Sequence, residues 1–222
     1  LCFFVCLLRC FIFSEFNPLS AQITTNLTDL DGLPSNTIRC LHISKNGVLW
    51  IGTDAGLCSY DGRDMIIYDK SDGLSGIVIY DITEDEKGQI WVCSYGGGVS
   101  YFNGISFTSI NKNIPSLQVR TLFFDNGLLY VGTNKLLTIY DGKKYYFEDT
   151  TKPISNDLSF ENGILKIFKK DSTVYVITLN DEIKKLVFEK VGKTNFHLEN
   201  LEIDESPTFG VVDFLDSLII LK

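Results

Sequence analysis

The residues able to do chemistry in this chain are few and scattered. His42 and His197 stand far apart, and neither has a second histidine or a cysteine at the spacing a zinc site requires. Each is expected to be a satisfied structural histidine. Of six cysteines, Cys2, Cys6 and Cys10 fall in an apolar N-terminal run, which leaves Cys40, Cys58 and Cys93. Their odd number and the lack of any Cys-x-x-Cys pair point to buried free thiols. Glu84-Asp85-Glu86 reads as the solvated tip of a hairpin, and Asp69, Asp72 and Gly73 lack the remaining ligands and terminal glutamate of a calcium loop. Gly96-Gly97-Gly98 would cradle a phosphate only ahead of a helix, and none follows, so a loop or bulge is expected. No serine sits in a Gly-x-Ser-x-Gly elbow. The expectation is no cofactor, no metal and no catalysis, phosphotransfer included.

What the sequence offers instead is repetition. A shift of 41 residues lays Asp31-Gly32-Leu33 on Asp72-Gly73-Leu74, and Leu49-Trp50-Ile51 on Ile90-Trp91-Val92. A third copy puts Tyr130 where tryptophan stood and repeats Val131-Gly132-Thr133 and Tyr140-Asp141-Gly142. Repeats of about 40 residues belong to solenoids, arrays or propellers. Within a repeat, Leu41 and Ile43, Leu49 and Ile51, Leu57 and Ser59, and Ile66 and Tyr68 mark four short runs, separated by turns such as Asn46-Gly47. No sustained apolar stripe of helical period interrupts them. The reading is an all-β chain, a partial β-propeller of four-stranded antiparallel blades. Trp50, Trp91 and Tyr130 should take equivalent buried places between sheets, and Gly52, Gly132, Tyr60 and Tyr140 belong to the same repeated framework.

The segment "DGLPSNTIRCLHISKNGVLWIGTDAGLCSYDG" resembles the two-component-regulator propeller repeat: a D-G-L-P-S-N opening, an I-x-x-I strand, L-W-I-G-T and G-L-x-x-Y-D-G. The second repeat departs from it at Val92-Cys93-Ser94, and the third loses the tryptophan. The three cover about half the chain. Blades are expected at about 27–70, 71–111, 112–150 and, with a degenerate pattern, 151–198, with the start of a fifth at 199–222. The resemblance implies the periplasmic ligand-sensing region of a Bacteroidetes-type histidine kinase or hybrid regulator, often concerned with glycans. It implies as partners a small-molecule or oligosaccharide ligand, together with further blades and downstream signalling domains of a longer parent. Two rivals stay open: a structural or secretion-associated interaction propeller, and a propeller lyase.

In a propeller the first strand of each blade lines the axis, and the loops entering it share a face with those joining the second and third strands. Here these are Asp31 to Thr37 and Thr53 to Gly56, Asp72 to Ile77 and Ser94 to Gly98, and Asn113 to Gln118 and Thr133 to Lys135. Equivalent early positions of the inner strand hold Arg39, Tyr80 and Arg120, a set able to meet hydroxyls or a carboxylate; Asp54, Tyr95 and Asn134 join them from the loops. The alternative is that these residues only bridge neighbouring blades.

Composition is that of an ordinary globular protein, 45% hydrophobic and 22% charged, and a net charge of -8 disfavours nucleic acid and anionic lipid as partners. Leu1 to Phe13 is apolar apart from Arg9, and Ala21-Gln22 is a plausible cleavage junction, so residues 1–21 are expected to be a signal peptide that exports the chain to the periplasm. A short membrane anchor is the rival. The residues that follow amount to about five repeats, fewer than commonly close a ring. The expectation is therefore an incomplete ring, a fragment or truncated member of the family, that is marginally stable or self-associates.

Overall fold

The computed structural model describes residues 26–147, 163–180, 182–188, 196–200, 211–214 and 217–220. The expected leader and residues 148–162 lie outside them, as do the side chains of the C-terminal strands.

Four-strand repetition is what forms. β1 (Ile38–Ile43), β2 (Leu49–Thr53), β3 (Leu57–Tyr60) and β4 (Met65–Tyr68) make one antiparallel sheet in sequence order. β5 (Ile79–Glu84), β6 (Ile90–Ser94), β7 (Gly98–Phe102) and β8 (Phe107–Ser109) make the second. The third is β9 (Val119–Asp125), β10 (Leu128–Thr133), β11 (Leu137–Tyr140) and β12 (Tyr145–Phe147). The degenerate repeat supplies β13 (Ile164–Lys170), β14 (Thr173–Thr178), β15 (Ile183–Phe188) and β16 (Phe196–Asn200), the last carrying His197. A hairpin of β17 (Val211–Phe214) and β18 (Ser217–Ile220) follows. The inner strands β1, β5, β9 and β13 are neighbours in that order, so the described sheets stack as blades of a partial β-propeller.

The repeated motif residues are mostly turn chemistry. Asn126 and Gly127, with φ of 48° and 76°, make the tight β9–β10 turn that needs two residues at positive φ. In the Tyr-Asp-Gly motif, Asp61 Oδ1 accepts from Arg63 N and Asp64 N, and Asp141 Oδ1 accepts from Lys143 N and Lys144 N. These amides hold both carboxyls below the usual aspartate range. The Asp-Gly opening is a capped 3-10 turn: Asp69 Oδ1 accepts from Ser71 N, and Asp72 Oδ2 from Asp69 N. Both carboxylates there serve the backbone, which accounts for acidic residues in that loop without a cation.

Blades adhere through apolar layers. Trp50, Leu57, Ile82, Ile90, Val92 and Phe107 fill the space between the first two sheets, with Trp50 stacked on Tyr68 at 5.5 Å. Trp91, Cys93, Val99, Val119, Leu122 and Val131 fill the next, and Tyr130, Leu137, Ile139, Ile164, Ile167 and Val176 the third. Trp50, Trp91 and Tyr130 are all buried, one per layer. The opposite face of the first sheet differs: Leu41, Ile43 and Ile67 are exposed, whereas Ile82, which matches Leu41, is buried.

Glycine is required where blades meet most closely. A Cβ on Gly132 would lie 2.5 Å from Thr121 Cγ2 and 2.7 Å from Ile164 Cγ2; one on Gly52 would lie 2.6 Å from Ile79 Cγ2. The second repeat places Cys93 there, and the residue opening the neighbouring inner strand is Val119 rather than isoleucine. The departure from I-G-T is thus a volume exchange across an interface. Gly132→Ala is expected to cost about 1–3 kcal/mol through overpacking, read as a lowered denaturation midpoint with an unchanged m value.

Two expectations need correction, the solvated acidic tip and the satisfied His42. The Glu84-Asp85-Glu86 tip is not simply solvated, because Asp85 is buried. Its carboxylate accepts from Lys87 N, Gln89 N and Trp91 Nε1, so it caps its own turn and anchors the indole. Glu84 reaches the preceding blade, accepting from Lys45 N at 2.8 Å and lying 3.5 Å from His42 Nε2. His42 is therefore a neighbour of a carboxylate between blades, but its Nε2 is buried without a hydrogen bond.

Candidate functional site

All four four-stranded sheets share one irregularity. Pairing of the inner strand with its neighbour skips a residue between Ile38 and Cys40, Ile79 and Asp81, Val119 and Thr121, and Ile164 and Lys166. The residues at the break are Arg39, Tyr80, Arg120 and Leu165. A bulge bends its strand and re-aims the side chain it carries, which is why bulges recur beside functional sites. Arg39, Tyr80 and Arg120 thus share a structural position.

Three of these side chains, with a fourth from a loop, come together. The Arg39 guanidinium lies 5.0 Å from the Tyr80 ring centroid. Arg120 approaches the same ring at 5.8 Å and Tyr95 at 5.3 Å, and the two tyrosine rings are 5.5 Å apart. Arg39 and Tyr95 are exposed, and Tyr80 and Arg120 half-buried. The cluster draws on three blades and presents two aromatic faces and two cations.

The loop residues sit where a repeated clasp puts them. Asp54 N donates to Thr37 O, Tyr95 N to Val78 O, Asn134 N to Gln118 O and Leu179 N to Gly163 O, once in each blade. The clasp ties the loop after the second strand to the entrance of the first, setting Asp54, Tyr95 and Asn134 beside the bulges. Asn134 has its side chain occupied: it accepts from the Ser116 hydroxyl at 2.6 Å and donates to Gln118 Oε1. It holds its loop together. Asp54 keeps its carboxylate half-exposed and makes no ion pair with Arg39 among the described residues.

Beneath the cluster lies a group that sequence reading missed. Asp81, one residue past the bulged Tyr80, is buried; it accepts from Thr121 Oγ1 at 2.8 Å and Leu122 N at 3.0 Å, with Lys166 Nζ at 3.4 Å. One carboxylate therefore links the second, third and fourth blades. Its partners are 40, 41 and 85 residues away in sequence, so no local signal announces them. Burial, with the Asp81 charge, pushes the Cys40 thiol up to about 12 and raises Cys93 well above its ordinary value. Burial alone lifts Cys58 to about 11. Neutral thiols are poor nucleophiles, and all three cysteines are free.

Among the described residues no group of three acidic, histidine or cysteine side chains could hold a metal ion. Two hollows lie elsewhere. One of about 320 Å3 is lined by Asp85, Trp91, Tyr101 and Tyr140, and one of about 780 Å3 by Lys112, Asn113, Lys143, Lys144 and Tyr145. Neither is lined by the arginine–tyrosine cluster.

The pattern of the two-component regulator propeller family matches residues 32–55 and 73–96. Those two segments are similar to two-component regulator propeller repeats. These matches span the inner-strand bulges of Arg39 and Tyr80 and end at Asp54's neighbour Ala55 and just past Tyr95. Similar solved structures include two extracellular domains from B. thetaiotaomicron proteins assigned as hybrid two-component systems. One is 20% identical with a TM-score of 0.58, covering 73% of this chain and 23% of that one. The other is 20% identical with a TM-score of 0.61, covering 81% and 23%. The chain therefore spans less than a quarter of the length of those solved chains. Virginiamycin B lyase from Staphylococcus aureus, in a catalytically inactive form with quinupristin, is 14% identical with a TM-score of 0.59, covering 77% and 58%. Likeness at these identities shows the shared fold. No curated protein sequence matches the chain. Among the described residues no helix is long and apolar enough to cross a membrane.

Proposed function

We propose that this chain is part of the extracytoplasmic sensing region of a two-component signal-transduction protein, and that it binds a small ligand such as an oligosaccharide without transforming it. The observation that carries this reading is the convergence of Arg39, Tyr80 and Arg120 from three successive bulges onto Tyr95. A bulge repeated in every blade is a framework feature. Filling three of its four positions with side chains that stack and donate hydrogen bonds is a choice the framework does not impose, since Leu165 takes the fourth. The family pattern and the extracellular placement of the similar domains support export and a sensory role.

Tyrosine faces suit the apolar faces of sugar rings, and guanidinium groups suit their oxygen atoms. The test is thermal unfolding of the chain with a panel of neutral and acidic mono- and oligosaccharides. A ligand present at about 100 times its Kd is expected to add about 2.7 kcal/mol and raise the midpoint by several degrees. Tyr80→Ala should lose that shift. No stabilisation by any panel member, or full stabilisation retained in Tyr80→Ala, would contradict the proposal.

A further inference from the structure

Among the described residues the two arginines of the cluster have cationic heads but no anionic partners. Among the described residues neither Arg39 nor Arg120 makes an ion pair, although the chain carries a net charge of -8. Carboxylates are thus plentiful in the chain, yet among the described residues none pairs with these two guanidinium groups. Arg120 Nε is buried and has no hydrogen-bond partner. An unsatisfied buried donor is costly, and one belonging to a charged group more so. The buried Asp81 carboxylate is committed to Thr121, Leu122 and Lys166 and makes no hydrogen bond or ion pair with Arg120 among the described residues. The contacts these guanidinium groups do make are with the Tyr80 and Tyr95 rings. Such contacts hold a guanidinium over a ring while leaving its N–H fork available, and that fork matches a carboxylate or another flat oxyanion.

We infer that the ligand of this site carries a negative charge, a carboxylate, which Arg120 and Arg39 bind while a ring of the ligand packs against Tyr80 and Tyr95. The inference rests on the ligand-binding reading above and adds its charge class. Asp54 on the first-blade side of the rim makes that side less hospitable to an anion, so the carboxylate sits toward Arg120, between the second and third blades.

The test compares methyl β-D-glucuronide with methyl β-D-glucoside, which differ at C6 by the carboxylate alone, in titrations followed by NMR. The glucuronide should bind at least about tenfold more tightly, the scale of one charge-assisted hydrogen-bonded pair. That margin should vanish in Arg120→Gln and shrink in Arg39→Gln, an exposed position whose replacement leaves the core untouched. It should widen in Asp54→Asn, and narrow when salt is raised. Equal affinities for the two glycosides, or a margin that survives both arginine replacements, would overturn the charge assignment while leaving ligand binding intact. Failure of both to bind, with oligosaccharides from the wider panel also inert, would overturn the two readings together.

Discussion

Replacing Trp50 by alanine is expected to destabilise the chain by about 3–5 kcal/mol, the cost of emptying a large aromatic site in a packed interior. The indole is 5% exposed and fills the layer between the first two blades. It stacks on Tyr68, and its edge contact with Phe102 at 5.6 Å carries the aromatic chain into the second blade. Tyr68 and Phe102 in turn meet Phe107. These rings are held by their neighbours on both sheets, so they cannot collapse fully into the void, and the cavity term adds to the lost transfer energy. A loss of this size is a large share of the stability of a typical domain. Trp50→Phe, which keeps an aromatic ring in place, should lose markedly less. Chemical denaturation followed by circular dichroism measures both; a Trp50→Ala change below about 1 kcal/mol would mean that the blade interface contributes little to folding.

Asp81→Ala is expected to cost about 3 kcal/mol, for a different physical reason. The carboxylate is nearly enclosed, and its removal strands the Leu122 amide and the Thr121 hydroxyl, two donors that hydrogen-bond to a charged acceptor. Bonds to charged groups are worth roughly 1.5–3 kcal/mol each, and a buried donor left alone incurs its full desolvation penalty. The Lys166 contact adds little, because that side chain is 53% exposed and its charge is well screened. Lys166→Met should accordingly be tolerated, whereas Asp81→Asn, retaining an acceptor but no charge, should fall between wild type and alanine. Finding Lys166→Met as damaging as Asp81→Ala would show that the ion pair, rather than the hydrogen bonds, joins these blades.

The contrast between these two residues shows what sequence can carry. Trp50 is legible because its neighbours in sequence, Leu49 and Ile51, alternate with it in the same strand and the pattern returns at Trp91 and Tyr130. Strand content, turn positions and blade number over the three clear repeats follow from such local signals, and β13–β15 followed from alternation even where the motif has decayed. Asp81 looks like any polar residue in a short strand, because its partners lie in other blades. Asp85 was legible only as a turn acid; that its carboxylate also receives the Trp91 indole depends on how the hairpin folds back. The bulge had the opposite fate. Arg39, Tyr80 and Arg120 could be aligned by the repeat, but the skipped pairing that re-aims them is a single-residue slip that no periodicity in six or seven residues can reveal. Asn134 aligned equally well with the site, and only its contacts with Ser116 and Gln118 show that its side chain holds a loop.

The chain has four arginines, Arg9, Arg39, Arg63 and Arg120, and this makes one measurement decisive for the ligand-binding account. The Nε–H signals of arginine side chains can be followed by two-dimensional 15N NMR during titration with a saccharide ligand from the panel. Arg63 sits in the β3–β4 turn with its backbone amide bound to Asp61, away from the cluster, and serves as an internal control. The account predicts that the Arg120 signal, whose Nε is unpartnered and buried, moves most, that Arg39 moves with the same midpoint, and that Arg63 stays in place. A saturating ligand that shifts Arg63 as much as Arg120, or leaves both Arg39 and Arg120 unmoved, would place binding elsewhere on the propeller and contradict the site proposed for it.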